Sequence, residues 1–112
     1  MDQERINSEW SESSENYDNI IQAELRSFRP AAWQKQILSR FDSGRKLRIL
    51  DIGCGPGFFT IILSEKGHEV TGIDGAYGML EKARRNVAAS GYAAEIVEMD
   101  ANDLKFEDNT FD

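Results

Sequence analysis

Leu50-Asp51-Ile52-Gly53-Cys54-Gly55-Pro56-Gly57 continues the largely apolar run Leu47-Arg48-Ile49-Leu50, with Leu50 shared. A short apolar run ending in glycines on alternate positions reads as a buried strand that turns sharply into a helix. Glycine has no Cβ, so its backbone reaches positive φ and another group can approach it closely. A strand end stripped of side chains in this way makes room for a ligand.

Downstream of this turn the hydrophobic period alternates. Residues 47–52 read as the first strand, residues 58–66 as a helix closed by Gly67, and residues 69–74 as a second strand with Val70 and Ile73 as its apolar members. Residues 78–89 read as a helix with the stripe Met79, Leu80, Ala83 and Val87, closed by Gly91; residues 94–99 read as a third strand. Strands and helices alternating at this pace imply βαβ units and a parallel sheet. Right-handed crossovers place the strands in the order three, two, one. The fold class is therefore α/β, a Rossmann-like parallel sheet with flanking helices. Upstream, Tyr17, Ile20, Ile21, Leu25 and Phe28 recur at helical spacing, and Trp33, Ile37, Leu38 and Phe41 give a second stripe. Pro30 lies between the two and Ser43-Gly44 stops the second. Residues 1–15 are polar and acidic and read as a mobile arm.

Composition bounds the function. The 112 residues make one domain at most. Hydrophobic residues at 40 % and charged residues at 29 % fit an ordinary globular protein. A net charge of −7 without a basic cluster argues against a nucleic-acid backbone as the main partner. No apolar run approaches the roughly 20 residues that span a bilayer, and the acidic Met1-Asp2-Gln3-Glu4 does not open a signal peptide. A single cysteine, Cys54, points to a reducing, cytoplasmic setting. One histidine, His68, without a paired Cys or carboxylate pattern gives no metal site. Residues 104–112 look like a loop and turn leading into a further strand, so the sheet is expected to be truncated after the third strand. Strand one would then have a free edge, and self-association through that edge is expected.

Glycine-rich strand-to-helix turns serve several nucleotide families. The dinucleotide fingerprint G-x-G-x-x-G puts its third glycine where this chain has Phe58, and Gly57 falls one residue early. A P-loop needs a lysine that this loop lacks. A nicotinamide-dependent oxidoreductase stays open as the alternative, as does a non-catalytic fragment that assembles with other chains.

Asp51-x-Gly53-x-Gly55-x-Gly57 resembles motif I of the class I S-adenosylmethionine-dependent methyltransferases, and the resemblance runs over about residues 47–112. It implies S-adenosylmethionine as methyl donor, S-adenosylhomocysteine as product, and residues 45–112 as the cofactor-binding half of a methyltransferase domain. Asp74 then accepts from both ribose hydroxyls, with Gly75 in the same turn. Met79 packs near the adenine. Asp100 accepts from the adenine amino group, and the N–H of Ala101 donates to the ring. Gly53, Cys54, Gly55 and Gly57 present backbone to the cofactor. Asp51 either orients the methionine amino group or bonds the loop's own N–H groups. Residues 16–44 become a candidate lid, with Tyr17 reaching the methionine end or packing in the core. One departure is Ala76, where many relatives carry a capping Ser; the lost cap costs about 1 kcal/mol of helix stability. The methyl acceptor is open, and no catalytic base is named because the acceptor side is expected beyond Asp112.

Overall fold

The computed structural model describes residues 14–27, 29–41 and 44–112, with side chains from residue 19 onward. Helices α1 (Ser14–Leu25) and α2 (Arg29–Leu38) precede the alternating series β1 (Arg48–Ile52), α3 (Phe58–Glu65), β2 (Glu69–Asp74), α4 (Tyr77–Ser90) and β3 (Glu95–Glu98). Each element from β1 onward lies within one residue of its expected bounds at either end. Helix α1 starts at Ser14, two residues inside the stretch read as an arm; the rest of that stretch, and Phe28 of the first stripe, lie outside the described residues.

The sheet is parallel, in the order β1-β2-β3. Ile52 pairs with Ile73 and Asp74 with Glu98, so the three strand ends lie side by side. Both crossovers advance the same way, which puts α3 and α4 on one face, and the two helices touch each other as well as the sheet. Gly67 and Gly91 stand at φ 88° and 79° where those helices stop.

Phe58, Ile62, Leu63 and Val70 form a core cluster, and Ile21, Leu25, Ile37, Leu38, Ile49 and Phe59 pack against it. Apolar side chains from α1 and α2 thus complete the core of the βαβ unit. The expected stripe on α1 is corrected at Ile20, which is 59 % exposed. Ile21 and Leu25 are four apart and share a face; Ile20 is one position off it. Trp33 sits edge-on to Phe59 at 5.4 Å. Gln34 is buried and donates to the carbonyl of Ile62 at 2.6 Å. The end of α3 tightens to three-residue spacing, Lys66 to Leu63 and Gly67 to Ser64, and Gln34 supplies side-chain bonding to a carbonyl in that last turn.

At the other edge the chain returns to β1. The N–H of Asp112 donates to the carbonyl of Arg48 at 2.8 Å, and its carboxylate accepts the Arg48 N–H at 2.8 Å. Arg45 also pairs with this carboxylate. The bond from Arg48, with help from Arg45, holds the Asp112 carboxyl below its ordinary value. Residue 112 thus lies against the edge of β1 away from β2.

One close approach fixes the spacing of helix and sheet. A Cβ at Gly72 would lie 2.8 Å from Thr60 Oγ1, 3.0 Å from Cys54 Cβ and 3.1 Å from Cys54 Sγ. Gly72 pairs with Asp51 in the ladder, and Thr60 Oγ1 donates to Asp51 at 2.8 Å. Glycine at 72 therefore lets α3 sit close enough for that bond. Gly72→Ala is expected to destabilise the chain by about 1–3 kcal/mol through overpacking. Urea unfolding of the two proteins checks this, and an unchanged midpoint would show that the contact has slack.

Candidate functional site at the strand ends

The site grows from the turn between β1 and α3. Gly53, Gly55 and Gly57 take φ of 69°, 54° and 99°, all left-handed. Such angles are strained for L side chains, which is the physical content of the alternating glycines. The turn is tied from beneath. The Cys54 N–H donates to the carbonyl of Ile73 at 2.9 Å, and the Gly57 N–H donates to the carbonyl of Cys54 at 3.0 Å. Gly57 caps α3 through its own carbonyl, which accepts from Ile61 at 2.9 Å. A Cβ at Gly57 would meet Ala83 of α4 at 3.6 Å, whereas one at Gly53 or Gly55 would meet nothing within 4 Å. One side of the loop is packed and the other is a bare cradle.

Asp74 closes one wall of that cradle. Its Oδ2 accepts the Gly55 N–H at 3.0 Å, and its Oδ1 accepts the Ala76 N–H at 2.9 Å. An ionised carboxylate has about four acceptor positions. Two are used here, so two remain for hydroxyl donors. Gly75 is half-exposed in the same turn. Ala76 is the N-cap of α4 and makes no side-chain cap bond, so Asp74 supplies the local hydrogen bonding there.

Asp51 has a different environment. It accepts from the Thr60 hydroxyl and is not bonded to the loop N–H groups; that role falls to Asp74. Burial pushes its carboxyl above the ordinary value of 3.8, against the pull of the Thr60 bonds and with a small push from Asp74. Asp100 accepts the Asn102 N–H at 2.8 Å and begins a turn in which Ala101 is exposed. It follows β3 directly, and the Met99 N–H reaches the carbonyl of Asp74 at 3.2 Å, so Asp100 lies one residue beyond that link.

Other residues named from the sequence sit elsewhere. Cys54 is buried, with its N–H committed to β2, and burial plus Asp51 and Asp74 pushes its thiol up to about 12. It is part of the floor beneath Gly72 and is protonated at neutral pH. Met79 is 3 % exposed and belongs to the core. Tyr17 lies in α1, but its side chain is outside the described residues. His68 Nδ1 accepts the Leu47 N–H at 3.0 Å. Among the described residues no cluster of three or more His, Cys, Asp or Glu could hold a metal. A concavity of about 720 Å³ lies around Leu38, Phe41, Lys46, Lys66 and His68, and a smaller one around Val70 and Tyr92. Both border the starts of strands, whereas ligands of open α/β sheets bind beyond the carboxyl ends. The glycine cradle, at those carboxyl ends, is therefore the site.

Sequence pattern missed three residues that shape it. Thr60 and Gly72 set the root of the turn. Asn86, 6 % exposed in α4, donates to the carbonyl of Pro56 at 2.9 Å. Their partners are remote in sequence, and no local spacing signals them.

A family model described as a methyltransferase domain matches residues 49–112, which holds the whole cradle and both acids beside it. The chain belongs to this methyltransferase family. It is 35 % identical over 115 residues to demethylmenaquinone methyltransferase of Staphylococcus aureus strain MRSA252, covering 97 % of this chain and 46 % of that protein. A structure titled as a putative S-adenosyl-L-methionine-dependent methyltransferase from Methanococcus maripaludis superposes with TM-score 0.76 at 27 % identity, over 88 % of this chain and 46 % of the other. A S-adenosylmethionine-dependent methyltransferase from Methanosarcina mazei gives TM-score 0.61 at 33 % identity, over 68 % and 38 %. This methyltransferase chain thus spans about half the length of the curated relatives it matches. The oxidoreductase alternative falls with the family assignment, and Phe58, where a third glycine would stand, is a buried core residue.

The raised carboxyl of Asp51 has a signed consequence. Folding strengthens its hold on a proton, so its stabilising contribution is full below 3.8 and is lost as pH rises through the raised folded value. Asp51→Asn keeps an acceptor for Thr60 without a buried charge. The variant is expected to be more stable than the parent near pH 7 and to lose this part of the pH dependence. Urea unfolding between pH 4 and 8 checks it; parallel profiles for the two proteins would contradict the burial argument.

Proposed function

We propose that this chain forms the cofactor-binding half of an S-adenosylmethionine-dependent methyltransferase. The observation that carries the reading is the bare cradle over Gly53 and Gly55, walled by an Asp74 carboxylate that keeps acceptor positions to spare. A vicinal diol suits those two positions, since each hydroxyl can donate to one oxygen. In this reading Asp100, just past the neighbouring strand end, accepts from an exocyclic amine, with the N–H of Ala101 as ring donor. Gly75 gives backbone beside the diol, and Met79 supports the wall from the core side. Tyr17, carried on α1, is proposed to approach the methionine end. Asp51 holds the root of the turn through Thr60.

When bound, the cofactor supplies an activated methyl group whose leaving group departs neutral. The protein's work is then to bind and orient donor against acceptor at near-attack distance. The chain's own residues serve that end by fixing the donor: backbone gives close approach, and carboxylates fix the sugar and base. The acceptor is unassigned. The name of the S. aureus relative makes demethylmenaquinone the first compound to assay.

Two further readings accompany this one. The single buried thiol fits a reducing cytoplasm, and no helix among the described residues is long and apolar enough to cross a membrane. On the edge of β1 away from β2, Asp112 bonds Arg48, and among the described residues no strand pairs with the remainder; in the 112-residue chain we propose that this remaining edge pairs with a second copy. Sedimentation across a hundredfold range of concentration should show mass rising above 12.7 kDa. A constant monomer mass would remove the proposal.

Asp74→Ala is expected to weaken binding of S-adenosylhomocysteine at least about tenfold, since two charge-assisted bonds to the diol are lost. Calorimetry checks it, with NADH as the control ligand that neither protein should bind. Equal affinity in parent and variant would unseat the ribose assignment.

A further inference from the structure

Asn86 links three parts of the chain that are distant in sequence. It sits on α4, buried, with Nδ2 2.9 Å from the carbonyl of Pro56 and Oδ1 2.7 Å from Nε2 of Gln22 on α1. The Pro56 carbonyl can only accept, so the amide nitrogen of Asn86 must face it. That leaves the amide oxygen for Gln22, and the orientation of the group is fixed by its partners.

The peptide held in this way is the hinge of the cradle. Pro56 and Gly57 flank it, and Gly57 resists rotation less than any other residue would. Sterics alone do not set its plane. Its N–H is held by the Cys54 carbonyl at 3.0 Å, and its carbonyl by Asn86. Rotation of this plane would move Gly55 and Gly57 together, and with them the bare surface of the loop. The sheet grips one side of the turn through Asp74 and Ile73. Helix α4 grips the other through Asn86 and Ala83. Gln22 extends the second grip to α1, which lies wholly outside the segment that matches the family.

We propose that Asn86 is a positioning residue for the cofactor site, joining α1 to the glycine loop through a Gln22–Asn86–Pro56 relay, so that docking of α1 and occupancy of the loop favour each other. The inference rests on the S-adenosylmethionine reading for the identity of the ligand, but the relay itself exists in the free protein. Coupling of this kind is reciprocal: whatever α1 contributes to binding, binding returns to α1.

Hydrogen exchange on the 112-residue chain tests it with two variants. Gln22→Ala removes the α1 end of the relay at a half-buried position. It should speed exchange of the Gly55 and Gly57 amides at least about fivefold, the low end of ordinary coupling, while the β2–β3 amides keep their rates. Asn86→Asp keeps an acceptor for Gln22 but turns a carboxylate oxygen toward the Pro56 carbonyl. It should release the loop amides while α1 stays protected. S-adenosylhomocysteine should slow exchange in residues 20–25 of the parent and leave that segment unchanged in Asn86→Asp. Loop amides indifferent to Gln22→Ala would overturn the relay, even if Asn86→Asp fails to fold. A parent that does not bind S-adenosylhomocysteine would instead sink the cofactor reading, with the free-protein exchange still deciding the relay.

Discussion

Three left-handed residues within five positions turn β1 into α3, and the neighbours of that turn are arranged around it. Left-handed backbone costs an L-residue roughly 1–2 kcal/mol, which glycine avoids. The turn could relax into other shapes for the same reason, because glycine is permissive in every direction. What narrows it is a ring of hydrogen bonds: Ile73 to Cys54, Cys54 to Gly57, Asp74 to Gly55 and Asn86 to Pro56. Ala83 completes the ring by packing, since only a small residue lets α4 stand 3.6 Å from the position a Cβ at Gly57 would take. The fold thus converts a flexible sequence into a fixed surface, and among the described residues nothing stands within 4 Å of where a Cβ at Gly53 or Gly55 would lie.

The acids around this turn divide by environment. Asp51 is drawn down by Thr60 and prefers its proton more than a free carboxyl does. Asp74 holds two backbone N–H groups, so its oxygens are oriented before a ligand arrives. Preorientation of that kind lowers the ordering cost of binding. The two residues are near enough for each to raise the thiol of Cys54, which stays protonated between them. A thiol with that environment serves as a small apolar spacer, and its position under Gly72 agrees.

Sequence legibility followed the range of the interaction. Strand β2 was read to the residue, and the ends of α3 and α4 to within one, because Gly67 and Gly91 mark helix ends by a local rule. The parallel order followed from alternation of period and the handedness of crossovers. The glycine loop and Asp74 were legible because a motif places them. Ile20 was misread because a helical stripe predicts a face only to within a residue, and here Ile21 and Leu25 take the buried side. The partner of Asp51 was left open, since a hydroxyl nine residues on declares nothing about direction. Asn86 was invisible: its partners lie 30 and 64 residues away, and a polar residue in a helix reads as solvent-facing until packing shows otherwise.

The division at residue 45 separates motifs more cleanly than it separates packing. The family match begins at residue 49, yet Ile21, Leu25, Ile37 and Leu38 close the same cluster as Phe58, Ile62 and Val70. Gln34 bonds to the last turn of α3 and Gln22 bonds to Asn86. A three-stranded parallel sheet with two helices is a small unit, and small units bury too little apolar surface to spare a face. Stripped of α1 and α2, the outer face of α3 would present its apolar residues to water, where each exposed Ile or Leu forfeits roughly 1.5–3 kcal/mol of burial. The N-terminal helices are therefore part of the domain's core whatever they do at the cradle, and any influence they exert on the loop travels through contacts that folding already requires.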